Sequence, residues 1–252
     1  GSVSKSRIEY VDTAWNPFTG CLATPTECPT MTSCWARGMS RRFKQVCQGD
    51  FSPRFHLDRL DLPIHWRKPR QVAVSFVGDL FGDWQNVDCI GSLGAPINYL
   101  GHDMDWVRKQ ILLVVSECPQ HAFLFLTKRP QNLAQWNPWP RNAWVGTSIT
   151  GAETPERQQE MIRALFQVEG AGVKWLSYEP ILGELHFTQP IIGEWIDWIV
   201  IGAQSGKGAV KPEARWIEAI EVLAQIGGTP HWEKSSLAPY LARPLVQQLP
   251  CP

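Results

Sequence analysis

Short runs of β-branched and aromatic residues alternate with amphipathic stretches from about residue 70 onward, and that rhythm leaves very few folds open to the chain. The runs 72–77 (VAVSFV), 122–127 (AFLFLT), 143–147 (AWVGT), 173–178 (VKWLSY) and 196–203 (IDWIVIGA) predict strands buried on both faces. Between them, 104–116, 155–168 and 212–226 predict helices, with Pro155 and Pro212 each suited to a first helical position. Repeated βα units make a parallel sheet, either doubly wound or curled into a barrel with helices outside. No G-x-G-x-x-G follows the first strands. Polar residues instead stand just past strand after strand: Gly78-Asp79, Thr127-Lys128-Arg129, Thr147-Ser148, Glu179 and Gln204-Ser205. In a barrel these converge on one mouth.

A chain of 252 residues can bury one sizeable core, and a single domain over 1–252 is expected. Lys+Arg and Asp+Glu both number 24, which argues against a highly charged nucleic-acid tail and against general disorder. No apolar run approaches the roughly 20 residues of a membrane span, and the start of the chain lacks the apolar stretch of a secretion signal. A cytoplasmic protein with no membrane partner is expected, in the bacterial host cytoplasm if the chain is phage-encoded. The 13 tryptophans suit either a core or a pocket for a planar ligand. Residues 83–103 form a long Gly-containing connection, expected to act as a lid, and 235–252 a packed C-terminal extension.

Seven cysteines, an odd number, argue against a disulfide framework. Cys47, Cys89, Cys118 and Cys251 are scattered and read as buried small side chains or idle thiols. Cys21, Cys28 and Cys34 lie together in the Pro- and Thr-rich loop 20–36. Three thiolates on one loop suit an iron–sulfur cluster or zinc, because soft sulfur favours both. Structural zinc takes four ligands, and Cys47 or His56 could supply the fourth. A four-iron cluster on three cysteines leaves one iron open to a substrate or cofactor.

The strings IEYVDTAWNPFTGC (8–21), CWARGMSRR (34–42), SFVGDLF (75–81), FLTKRP (125–130), WVGTSI (144–149), LSYEPILGEL (176–185) and IDWIVIGAQSGKGA (196–209) occur in a fixed order. Together they resemble a phage-encoded three-cysteine-motif family related to the radical S-adenosylmethionine enzymes. The resemblance implies an α/β fold, a partial (β/α) barrel of the radical S-adenosylmethionine type with parallel strands and outer helices. It also implies a [4Fe–4S] cluster on Cys21, Cys28 and Cys34, with S-adenosylmethionine on the unique iron. The chain departs from the family pattern at four places. Five residues separate Cys28 from Cys34 where a shorter gap is usual, Trp35 replaces Tyr, Arg37 replaces Glu, and Ala203-Gln204 replaces Gly-Glu. Two lost carboxylates suggest a different or more anionic substrate.

The activity so implied is reductive cleavage of S-adenosylmethionine by an electron from a reducing donor, followed by hydrogen abstraction by a 5′-deoxyadenosyl radical. Asp79 stands where related enzymes place a carboxylate for the cofactor's amino group. Trp35, Gly78, Thr147, Ser148 and Gln204 complete the expected cofactor contacts, Thr147 and Ser148 suiting the ribose. Glu179, Lys128 and Tyr178 are the expected catalytic residues at the mouth. Asn16, Asp83, Arg41, Arg42, Arg129 and Lys234 are the expected substrate contacts. Basic residues gather in the N-terminal third (Arg37, Arg41, Arg42, Lys44, Arg67, Lys68, Arg70), as a phosphate-tracking face or a solvated surface would require. The phage setting of the family points to a modified base in DNA as substrate, such as a glycine-bearing thymine isomerised by radical rearrangement. A radical nucleotide lyase or photoproduct-type repair enzyme, and a non-catalytic zinc-stabilised DNA-binding module, are the alternatives.

Overall fold

A computed structural model describes residues 6, 8–25, 27–42, 51–91, 102–186 and 194–251. Lys44, Cys47 and residues 92–101 of the expected lid lie outside the described residues. Seven strands form one sheet, and every pairing in it is parallel. They are β1 (Thr13–Trp15), β4 (Gln71–Val74), β7 (Ala122–Thr127), β8 (Ala143–Ile149), β9 (Val173–Ile181), β10 (Trp198–Ala203) and β11 (His231–Glu233), adjacent in that order. Strands that follow one another in space as in sequence wind in one sense, which gives an open partial barrel rather than a doubly wound sheet. Four short strands, β2 (Phe18–Thr19), β3 (Arg54–His56), β5 (Asn86–Ile90) and β6 (His102–Asp103), form a second sheet.

Three long helices cover the outside: α2 (Met104–Glu117), α3 (Pro155–Phe166) and α4 (Ala214–Gly227); the short α1 (Trp35–Arg42) follows the cysteine loop. Apolar side chains at helical spacing, Val107 and Ile111 on α2, Ile162 and Leu165 on α3, Ile217 and Ile220 on α4, pack on the outward residues Val72, Phe123, Val145, Leu176 and Ile199. Asp103 and Thr154 cap α2 and α3 by accepting from the amides of Trp106 and Arg157. Pro155 takes the first turn as expected. Pro212 does not: α4 begins at Ala214 after Glu213, so Pro212 precedes the helix.

The five predicted strands are all present, with shifted ends. The first stops at Val74, because Ser75 turns the chain at a φ of 58° and its hydroxyl accepts from the Phe18 amide. The 83–103 connection is not free of secondary structure, since it carries β5 and β6. Part of the C-terminal segment is tied to β11. Glu233, buried on β11, accepts two bonds from Arg243 and one from the Val246 amide, while Gln247 bridges to Trp232. No helix among the described residues is long and apolar enough to cross a membrane.

His56 sits buried in the second sheet, its Nε2 sharing a 2.8 Å hydrogen bond with the Thr19 hydroxyl. Burial, then the charges of Arg59 and Arg54, lower its pKa to about 3. The folded protein therefore keeps this imidazole neutral while the unfolded chain takes up a proton below the ordinary value of about 6.5. The stability from neutral His56 is present above pH 6.5 and lost as the pH falls toward 3. Replacing His56 with Gln should remove a slope of up to about 1.4 kcal/mol per pH unit across that window. Denaturant unfolding of both proteins at several pH values measures the difference.

Candidate active site

Side chains alternate between the faces of each strand, so the register decides which residues enter the barrel. The inward set runs Trp144, Gly146 and Ser148 on β8, Trp175, Ser177 and Glu179 on β9, and Trp198, Val200 and Gly202 on β10. Its lower part is aromatic. Tyr10 meets Trp198 edge-on at 5.4 Å between centroids and Trp175 at 6.0 Å, and Trp144 meets Trp198 at 5.8 Å. The tryptophans are thus mostly core. Segment 8–12 reaches both edges of the barrel: Glu9 accepts from the amide and hydroxyl of Ser235, and Asp12 exchanges bonds with Gln71.

Above this aromatic floor, at the C-terminal strand ends, the inward residues become polar. Lys128 Nζ donates to Ser148 Oγ at 2.8 Å, and Ser148 Oγ donates to the Glu179 carbonyl at 3.2 Å. The Glu179 carboxylate is ion-paired with Lys234. Burial, followed by the charges of Glu179 and Glu9, pushes the Tyr10 hydroxyl well above its ordinary pKa, so it remains a proton-bearing group beneath the carboxylate. Lys128 and Lys234 thus stand beside Glu179, with the Glu9 carboxylate on neighbouring Ser235.

The cysteine loop is joined to the same end of the barrel. Gly20 pairs with Gly78 in a parallel bridge, and the Asp79 amide donates to the Gly20 carbonyl at 3.1 Å. Gly20 has φ +92°, and a Cβ there would lie 2.1 Å from the Ser52 carbonyl oxygen, so only glycine fits this approach. Asp79 accepts from Thr127 Oγ1 at 2.8 Å and from the amides of Phe81 and Lys128 at 3.0 and 3.3 Å. Burial raises its pKa, and these bonds oppose the rise. Burial and then the Asp79 charge push the neighbouring Cys21 thiol up to about 12. Cys21 and Cys34 both pack on Ala36 and Phe51. All three thiols of the loop are free and half-buried. Among the described residues no group of three or more His, Cys, Asp or Glu forms a ready metal cage.

The structure gathers Lys128, Ser148, Glu179 and Lys234 at the mouth and sets Gly78 and Asp79 beside the loop. Other expected site residues are placed elsewhere. Tyr178 is fully buried on the helix-facing side, one residue out of phase with Glu179, and its hydroxyl donates to the Gly183 carbonyl. Thr147 is likewise out of phase with Ser148; it is buried and donates to the Thr127 carbonyl at 3.1 Å. Arg129 is only 4% exposed and its Nη2 pairs with Glu27 at 2.8 Å. The Gln204 carboxamide oxygen accepts from the Val210 amide, which folds its own loop. Asp83 accepts from Asn132 at 2.8 Å, and Asn16 keeps a buried side-chain oxygen with no hydrogen-bond partner among the described residues. Trp35 is 56% exposed at the start of α1, and Arg41 and Arg42 are exposed at its end. Tyr10, Ser177, Gly202 and Glu27 were not expected at the site. For Ser177 the signal is its two-residue offset from Glu179; for Tyr10 there is none, because the N-terminal segment reaches the barrel only through tertiary contacts.

Fold and site together define an α/β protein with an open parallel barrel, a polar ring at its C-terminal mouth and a three-thiol loop docked beside it. The chain belongs to the family described as "Protein of unknown function (DUF5131)", whose model matches residues 5–236. Searches of curated proteins and of solved structures found no match.

Two inward glycines separate packing from function. A Cβ on Gly146 would fall 2.6 Å from the indole of Trp175, whereas one on Gly202 would lie 3.0 Å from the Glu179 side chain, which can swing away. Gly146→Ala should cost about 1–3 kcal/mol of stability. Gly202→Ala should cost less than about 1 kcal/mol while displacing Glu179 from Lys234. Urea unfolding of the two variants gives the comparison.

Proposed function

We propose that this protein is a radical S-adenosylmethionine enzyme acting on a modified base in DNA. The observation that carries the reading is the docking of three free thiols at the C-terminal mouth of a parallel barrel, beside a ring of Lys128, Ser148, Glu179 and Lys234. The donor chemistry fits an iron–sulfur cluster: three soft ligands on one loop, one of them, Cys21, close to Asp79 and to the buried guanidinium of Arg129. Cys21, Cys28 and Cys34 would hold the cluster, and Asp79, Ser148 and exposed Trp35 would contact S-adenosylmethionine. Bound there, the cluster and S-adenosylmethionine would supply one-electron reductive chemistry that generates a hydrogen-abstracting radical.

The chain's own residues then have separate tasks. Lys128 and Lys234 attract an anionic group into the mouth, and Glu179 holds Lys234 in place. The aromatic floor limits entry to the polar layer and keeps water from below. Tyr10 keeps its proton under Glu179 and can donate a hydrogen bond to a group lodged there. His56 shares its Nε2 with the Thr19 hydroxyl, while its Nδ1 has no hydrogen-bond partner among the described residues. Lys128 and Lys234 at the mouth and the exposed Arg41 and Arg42 favour an anionic substrate such as DNA. A rearrangement of an amino-acid-bearing thymine is the reaction that the family resemblance suggests.

Anaerobic reconstitution should yield about four irons with matching sulfide per chain, by the stoichiometry of one cluster. Cys21→Ala, Cys28→Ala or Cys34→Ala should abolish it, while Cys89→Ala and Cys118→Ala should not. Retention of zinc without sulfide would favour the DNA-binding module instead.

Arg41→Gln with Arg42→Gln should weaken binding to a duplex oligonucleotide and lower the slope of log affinity against log salt by about two, with the iron content unchanged. Equal salt dependence in variant and wild type would remove this face from the account.

A further inference from the structure

Arg129 is the least expected cation in the molecule. It follows β7 and is almost wholly buried, with its guanidinium 5.1 Å from the centroid of the Trp84 ring. Its Nη2 reaches across 102 positions of sequence to Glu27 Oε2 at 2.8 Å. Among the described residues its Nε and Nη1 have no hydrogen-bond partner, and Glu27 is the one carboxylate its guanidinium donates to. Glu27 in turn organises the cysteine loop: the same oxygen accepts from the amide and hydroxyl of Thr24, each at 2.8 Å, and Cys28 follows it directly. Burial works to raise the Glu27 pKa, but the Thr24 amide and Arg129 hold it down to about 2. The Arg129 amide donates to Thr127 Oγ1, and that hydroxyl donates to Asp79.

We propose that Arg129 is a positioning residue: with Glu27 it latches the middle of the cysteine loop to the barrel rim, and its buried charge balances the negative charge the thiolates gather there. The Gly20–Gly78 pairing holds the start of that loop and the packing of Cys34 on Ala36 and Phe51 holds its end, which leaves the middle, at Glu27, to be tethered. A buried guanidinium forced to keep one carboxylate partner supplies that tether, because leaving it unpaired is unfavourable. The charge-balancing part rests on the cluster reading above; the latch itself does not.

The test uses the full chain in two forms. In the metal-free protein, hydrogen exchange over residues 21–34 should quicken about tenfold in Glu27→Gln and in Arg129→Gln, with partial recovery in Arg129→Lys. The double variant should exchange no faster than the faster single one, since the two side chains act through each other. Wild-type rates in the single variants, or multiplied effects in the double, would overturn the latch. Should Arg129→Gln fail to fold, Glu27→Gln and Arg129→Lys carry the same comparison. In the reconstituted protein the midpoint potential should rise in Glu27→Gln, which deletes a negative charge, and fall in Arg129→Gln, which deletes a positive one. Shifts of the same sign in both would overturn the charge-balancing role. If the wild-type chain assembles no cluster, the functional reading fails while the exchange rates still decide the latch.

Discussion

Everything at the mouth follows from the two-residue period of a parallel sheet buried on both faces. One step along β9 separates Tyr178, packed under the helices, from Glu179, which faces the barrel interior. One step along β8 separates Thr147 from Ser148 in the same way. A parallel sheet with strands in sequential order keeps this phase from β8 to β10 as far as Ile201, where the β9–β10 register shifts, so the inward set forms layers: tryptophans at the bottom, then Ser148 and Ser177 in register, then Glu179 with Lys234. Hydrophobic burial fixes the phase, and the polar ring is its consequence. Slipping β7 or β9 by a residue would turn Lys128 or Glu179 under the helices, at a cost that no surface ion pair repays.

The cysteine loop adds a second constraint, local and electrostatic. Its start is held by backbone pairing at two glycines, where a side chain would collide with backbone, and its middle by an ion pair whose cation cannot reach water. Between these points lies Cys21; just beyond the second lies Cys28, and Cys34 leads into α1. Asp79 ties the loop to the sheet, since it bonds β7 through Thr127 and meets Gly20 through its own amide. The loop is therefore an extension of the barrel rim, close to the ring of lysines and Glu179.

Much of this was legible from residue patterns alone. The strands β4, β7, β8, β9 and β10 and the three long helices show in the apolar rhythm, because burial on both faces leaves an uninterrupted hydrophobic run that local sequence carries by itself. The convergence of strand-end polar residues was also readable. Its phase was not, because a run such as VKWLSYE looks alike from either face until a partner strand sets the register. Thr147 and Tyr178 were misplaced for that reason. The short strands β1, β2, β3, β5, β6 and β11 carry two to five residues each, too few for a period to appear. Arg129 gave no sign of burial, since its partner Glu27 lies 102 residues away in sequence. The cysteine triplet was visible as spacing, but its docking depends on Gly20, whose need for a positive φ only the fold discloses.

The proposed cluster differs from a structural metal site in having one iron free to bind S-adenosylmethionine, and that difference can be seen directly. The paramagnetic resonance spectrum of the reduced, reconstituted protein should be recorded with and without S-adenosylmethionine. The account predicts that the cofactor shifts the spectrum of the wild-type cluster, as ligation at a unique iron requires. A fully loaded cluster whose spectrum S-adenosylmethionine leaves unchanged would contradict it.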